Sequence, residues 1–244
     1  MGSLVRVDRD GPRATITLDS PTRRNALSGA LLADLHAALD LAADDDVGVV
    51  VLGHTGPAFC AGADLSERRS GPADSTPLVR AIERISELPV PVIAAVRGPV
   101  RAGGVGLMAA CDLVVVAEPV TFAFTEVRIG VAPAIISVPL LARCGWSALA
   151  GPFLTGEPFD AAAAARMGLV THVTDDVDAT VERLCAGVLA GGPCAVAATK
   201  RLLRRPGTMH EMAALSESLF ASTEAAEGMA AFLDKRAPAW AAQS

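Results

Sequence analysis

The sequence predicts an α/β fold with largely parallel strands, followed by a helical C-terminal region. Three observations point there. Val47–Leu52, Pro91–Val96 and Leu113–Val116 are short apolar runs rich in β-branched residues, the mark of strands buried on both faces. Helical patterns separate them. From about Ser137 onward Ala-rich helical segments dominate, and Leu169–Val173 is the only good strand.

The elements follow in order. Leu4–Val7 and Ala14–Leu18 flank an Asp10-Gly11-Pro12 turn and read as a hairpin. Ser28 caps a helix that carries Leu31, Leu32, Leu35, Leu39 and Leu41 at helical spacing, and Asp44-Asp45-Asp46 ends it. After strand 47–52 comes Ser66–Pro77, rich in Ser, Pro and charge and the most mobile-looking internal segment. A helix runs from about Leu78 to Leu88. Strand 91–96, a glycine-rich loop, a short helix Gly104–Ala110 and strand 113–116 complete the first half. In the second half Pro193 suits the first turn of a helix and Pro206-Gly207 is a break. Glu224–Arg236 reads as a final amphipathic helix with Met229, Phe232 and Leu233 on one side.

Composition excludes several classes. The 244 residues form one large domain or a domain with a small appendage. With 51% hydrophobic and 20% charged residues the chain is of ordinary globular type. A net charge of −6 argues against nucleic-acid binding, which needs a basic surplus. No uninterrupted apolar run nears the ~20 residues of a membrane span. The first twenty positions alternate charged and apolar, so no secretory leader is expected. Five scattered cysteines without a CxxC pair fit reduced thiols and a cytoplasmic location. The four histidines form no ligand cluster, so no metal site is expected. With no tyrosine, any tyrosine-acid mechanism is ruled out.

Three segments carry candidate chemistry. Phe59-Cys60-Ala61-Gly62-Ala63-Asp64-Leu65 follows strand 47–52, and Arg101-Ala102-Gly103-Gly104-Val105-Gly106 follows strand 91–96 and opens a helix. Both put small residues at the C-terminal ends of buried strands, where α/β sheets bind ligands. Small side chains let a ligand approach backbone N–H groups, and two such groups aimed at one point make an oxyanion hole. The plain alternative is that these glycines only permit tight turns and close packing. The third segment, Phe122–Pro133, holds Glu126 between apolar positions. Burial there raises a carboxyl pKa towards neutrality, as a general acid/base requires. A surface Glu paired with an arginine such as Arg128 is the plain alternative. Gly104–Ala109 also matches the dinucleotide pattern GxGxxA. Its acidic partner Glu118 comes 14 positions after Gly104, where about 20 is expected, so NAD is not the expected ligand.

Taken together, FCAGADL (59–65), PVIAAVRGPVRAGGVGLMAACDL (91–113), FTEVRIGVAP (124–133) and TGEPFDAAAAARMGLVTHV (155–173) resemble the enoyl-CoA hydratase/isomerase (crotonase) family. PTRRNALS (21–28) and EGMAAFLDKRAPAW (227–240) are similar too, so the resemblance spans nearly the whole chain in order. It implies a crotonase-like spiral of ββα units over 1–190 and a C-terminal helical trimerisation region over 191–244. It implies an acyl-CoA thioester substrate, with coenzyme A part of the substrate rather than a separate cofactor, and a homotrimer or dimer of trimers. By position it gives the oxyanion hole to the amides of Ala63 and Gly103 and the catalytic carboxylate to Glu126. Ala61, Gly62, Asp64, Leu65, Gly104 and Gly106 would be substrate-binding. Arg23, Arg24 and Lys235, with Arg236, match positions near the CoA phosphates. For the arginines a solvated surface is the plain alternative.

One departure matters. Typical hydratases of this family use two glutamates, and this chain has Gly106 where the second falls. One carboxylate alone suits a 1,3-proton shift, hence a Δ3,Δ2-enoyl-CoA isomerase. A second resemblance, of GGVGLMAACD with FTEVRIGVAPAIIS, is to a bacterial branch related to methylglutaconyl-CoA hydratases, in which the second glutamate can also be absent. The space left at Gly106 is then expected to take a water or a bulkier or charged acyl group. Hydration stands first on resemblance, isomerisation second, and a non-catalytic acyl-CoA-binding protein is the alternative of another class.

Overall fold

The computed structural model describes residues 2–68 and 74–243. The chain opens with a hairpin, β1 (Val5–Asp10) and β2 (Arg13–Leu18), paired antiparallel through Gly11 at φ 51°. Helix α1 (Gly29–Ala42) starts where the Ser28 hydroxyl accepts from the Leu31 N–H, as its N-cap position requires. Next come β3 (Val49–His54), α2 (Leu65–Arg68), α3 (Thr76–Glu87), β4 (Val92–Val96), β5 (Val100–Arg101), α4 (Gly103–Ala110), β6 (Leu113–Ala117) and β7 (Thr121–Ala123). The second half holds α5 (Ala134–Cys144), α6 (Trp146–Thr155), β8 (Phe159–Asp160), α7 (Ala161–Arg166), β9 (His172–Thr174), α8 (Val177–Leu189), α9 (Pro193–Arg204), α10 (Met209–Phe220) and α11 (Thr223–Leu233). Of the segment read as mobile-looking, residues 66–68 lie in α2, Thr76-Pro77 open α3, and residues 69–73 lie outside the described residues.

The main sheet runs β1-β2-β3-β4-β6-β9, parallel throughout except for the opening hairpin. Period-two alternation splits its buried residues between two cores. Val50, Leu52, Ala94, Val96, Val114 and Val116 face the larger core beneath α1, α3 and α4. Val49, Val51, Ile93, Ala95 and Val115 face the other side, covered by Val177, Val181 and Cys185 of α8. The continuous apolar runs are explained by this double coverage.

A second, three-stranded sheet, β5-β7-β8, stands beside the first. It makes β4–β5–α4 and β6–β7–α5 successive strand–strand–helix turns of one spiral. Sequence reading does not anticipate it, because strands of two or three residues carry no periodicity. β8 also corrects the expectation of a single strand in the second half. That single strand lies later than expected, at His172–Thr174. The amides of Leu169 and Val170 instead turn back to the carbonyl of Ala164 around Gly168 at φ 81°, closing the end of α7.

Candidate active site

Backbone hydrogen bonds brace the three candidate segments against one another. Phe59 N–H donates to Pro99 O at 3.1 Å and Arg101 N–H to Cys60 O at 2.9 Å, so the 59–65 loop runs beside β5. Ala102 N–H donates to Ala123 O at 3.1 Å, and β5 pairs with β7, three residues before Glu126. The 59–65 loop is also held from behind, with Leu27 N–H on Gly62 O at 2.8 Å and Asp64 N–H on Leu27 O at 3.4 Å. That bridge uses the groups on either side of Ala63 and leaves its own amide unspent. Among the described residues the Ala63 N–H makes no hydrogen bond.

The Gly103 amide is free for a different reason. It is the first residue of α4, where no intrahelical acceptor exists, and the N-cap is Ala102, whose side chain accepts nothing. Ala102 sits at φ 47°, ψ −123°, a conformation that L-residues rarely adopt. Close packing explains the glycines around it. A Cβ on Gly104 would lie 2.5 Å from Cys60 Cβ, and one on Gly62 would lie 2.9 Å from Ala102 Cβ. The two loops therefore approach as near as backbones without side chains allow. Both free amides stand on these touching loops.

Glu126 opens a 3-10 turn, Glu126–Ile129, closed by Gly130 at φ 78°. The carboxyl is half-buried, and its Oε2 is buried without a hydrogen-bond partner among the described residues. Burial pushes its pKa above the ordinary 4.5, and no opposite charge offsets the shift. Arg128, the alternative partner, instead donates to Thr155 O at 3.1 Å.

Other expected residues fall into place unevenly. Ala61 and Leu65 are exposed beside the loop. Arg24 lines a cavity of about 260 Å³ with Pro57, Ala58, Cys60, Ala61, Pro99 and Arg101. Asp64, expected among the substrate-binding residues, bonds within the fold. It is buried, accepts from Ser66 Oγ at 2.6 Å and Ser66 N–H at 3.0 Å, and pairs with Arg23 at 3.0 Å. Those bonds, that to the Ser66 hydroxyl foremost, hold its carboxyl below its ordinary value and spend both oxygens on the fold. Arg23 is correspondingly engaged. Lys235 is exposed at φ 53°, and Arg236 pairs with Glu227 at 2.7 Å.

Gly106 brings the main correction. It is buried, and a Cβ there would meet Ile136 Cγ2 at 2.5 Å and Ile82 Cδ1 at 3.2 Å. The space expected to hold a water or a bulkier acyl group is filled by two isoleucines. Two features escape sequence reading: Ala102, an alanine in a conformation that glycine favours, and Arg101, whose guanidinium reaches Thr121 O at 2.6 Å and lines the cavity. Neither residue type signals its role. A larger cavity, about 340 Å³, lies against Trp240 at the N-terminal ends of β3 and β4 and includes none of the expected site residues.

Comparisons with known proteins identify the family and the fold. The model of a family described as enoyl-CoA hydratase/isomerase matches residues 12–243. A Thermus thermophilus protein named only provisionally as an enoyl-CoA hydratase is 38% identical, the alignment covering 96% of this chain and 99% of the relative. The crystal structure of a Mycobacterium smegmatis enoyl-CoA hydratase superposes with a TM-score of 0.89 at 35% identity, covering 97% of this chain and 98% of the other. One from Mycobacterium avium gives 0.75 at 43% identity, covering 98% and 100%.

Proposed function

The chain belongs to the enoyl-CoA hydratase/isomerase family, and from that premise we propose that it adds water to the double bond of a 2-enoyl-CoA thioester with Glu126 as its single proton-transfer group. The observation that carries the proposal is the Glu126 carboxyl, half-buried and raised in pKa, with an unpartnered oxygen and three residues from a strand hydrogen-bonded to the free-amide loop.

The thioester oxygen accepts from the Ala63 and Gly103 amides. The Glu126 carboxylate takes a proton from water as the hydroxide adds at C3, and the electron pair moves to the thioester oxygen as an enolate. The two amides hold that oxyanion more strongly than the starting carbonyl, which is what accelerates the step. The enolate then collapses, and the carboxylic acid of Glu126 returns the proton to C2. A pKa lifted towards neutrality serves both halves of this cycle. The chain is acidic overall, so attraction for the polyanionic CoA is local. Arg24, exposed on the rim of the 260 Å³ cavity, is its best-supported partner, with Lys235 next.

Isomerisation is the second reading, favoured by the isoleucines packed at Gly106. There Glu126 takes a proton from C2 of a 3-enoyl-CoA and returns it at C4, through the same enolate. Residues 191–244 act in assembly on this proposal, as trimer or dimer of trimers. Among the described residues no single helix is long and apolar enough to cross a membrane.

Mass spectrometry after incubation with crotonyl-CoA tests the function. A gain of one water with wild type, lost in Glu126→Gln, supports hydration. No gain with crotonyl-CoA but conversion of a 3-enoyl-CoA supports isomerisation. Tight acyl-CoA binding with no conversion of either overturns both in favour of a binding protein.

A further inference from the structure

Helix α4 carries the Gly103 amide at one end and is gripped at the other. Its last carbonyls have no intrahelical donors. Arg143 of α5 donates from Nη1 to Cys111 O at 2.7 Å and to Ala109 O at 3.4 Å. Arg204 of α9 donates from Nη2 to Ala110 O at 2.6 Å. Behind them Asp112 binds Arg204 at 2.7 Å and Lys200 at 2.8 Å, and accepts from Val92 N–H at 2.8 Å. Lys200 is itself buried and donates to Val90 O at 2.9 Å. Two guanidiniums from separate helices thus close three successive carbonyls, and an ion cluster ties one of them to β4.

We propose that Arg143 and Arg204 are positioning residues for the Gly103 amide, holding α4 at its C-terminus so that its first turn stays aimed at the substrate oxygen. The inference rests on the role given to Gly103 above. Three features make an external hold necessary. Three of the eight residues of α4 are glycines, each costing about 1 kcal/mol of helix stability relative to alanine. Those glycines are not replaceable by better helix formers, because Cβ atoms at 104 and 106 would collide with Cys60 and Ile136. The N-cap supplies no side-chain bond, and the helix has no charged residue of its own. At roughly 12 Å long, α4 is short enough that a tilt at one end displaces the other. Three cations against one anion at the C-terminus also complement the helix dipole.

The test compares Arg143→Met and Arg204→Met with wild type, below the melting temperature of each. Arg13→Met serves as a control, losing a surface pair with Glu182 on the other side of the sheet. Two readouts are taken: kcat and KM for the acyl-CoA, and hydrogen exchange of the hydrogen-bonded amides of the first turns, Val105, which donates to Ala102 O at 2.8 Å, and Leu107. The clamp predicts a kcat reduced about tenfold or more with KM within about twofold, since a small displacement at an oxyanion site costs rate before affinity. It predicts faster exchange at Val105 and Leu107 in both arginine variants and neither change in the control. Arg→Lys variants, which keep a donor but lose the planar fork, should fall between, and they stand in if a Met variant fails to fold. Lower melting temperatures with wild-type kcat and wild-type exchange at Val105 and Leu107 overturn the proposal. Absence of turnover in wild type overturns instead the role of Gly103, while the exchange data still judge the clamp.

Discussion

Glu126 and Ala102 are both held at an energetic cost. In the native state Glu126 binds its proton more tightly than in the unfolded chain, because burial disfavours the charged form. A folded pKa above the unfolded value means that stability is full below the ordinary 4.5 and falls as pH rises through the folded value. Glu126→Gln never ionises. It should melt higher than wild type at neutral pH, and the difference should vanish in acid below 4.5; thermal melts at the two conditions check this. The same substitution should cut turnover by at least about 100-fold, and wild-type kcat/KM should rise with pH through the elevated Glu126 pKa. Stability gained while activity is lost is the pattern of a functional group kept against the interest of the fold. At Ala102 the cost is conformational. Glycine relieves the positive φ but adds unfolded-state entropy, so Ala102→Gly should stabilise by about 1 kcal/mol net in urea titration, with kcat close to wild type. A marked loss of stability there would show that the alanine methyl contributes more through packing than its backbone costs.

Among the elements, α4 and α5 pack most tightly where Gly106 meets Ile136. Gly106→Glu forces a Cβ into Ile136 and buries a carboxylate among isoleucines. The first effect alone costs about 1–3 kcal/mol. Ile136→Ala leaves a cavity and costs about 2–5 kcal/mol. The two changes share one volume, so the double variant should be more stable than the sum of the singles predicts. A double-mutant cycle in denaturant measures this, and strict additivity would show that the contact is slack. This contact also marks where sequence reading ends. The central strands were legible because both faces are buried and every position is apolar; α1 was legible from Ser28 and its leucines. The glycine loops and Glu126 were legible as candidates. Which neighbour fills the space at Gly106 was not, since Ile136 lies thirty positions away and an isoleucine on a helix reads as ordinary core. Nor was Asp64 legible as a structural group, because its partners Ser66 and Arg23 are ordinary polar residues on either side of it.

At the level of the whole molecule the C-terminal helices pose an imbalance. They are anchored on their own protomer: Lys200 and Arg204 reach Asp112, Glu224 accepts from the Cys194 and Ala195 amides at 2.8 and 2.9 Å, and Trp240 Nε1 donates to Ala190 O at 3.2 Å. So anchored, they still leave Leu203, Met209, Phe220, Phe232 and Leu233 exposed, Phe232 by 84%. A single exposed leucine is unremarkable, but five large apolar residues on three successive helices form the surface that the proposed assembly would cover. If burial between copies stabilises the fold, the melting temperature must rise with protein concentration. Phe232→Asp with Leu233→Asp should abolish that dependence. In sedimentation the variant should move as the 24.9 kDa chain, where wild type moves as a multiple of it. Because α9 also holds the C-terminus of α4, loss of assembly should lower kcat as well as stability, and restoring concentration should not rescue the variant. A wild-type chain that sediments as a monomer at every concentration would remove assembly from the account and leave the exposed helix faces without a stabilising role.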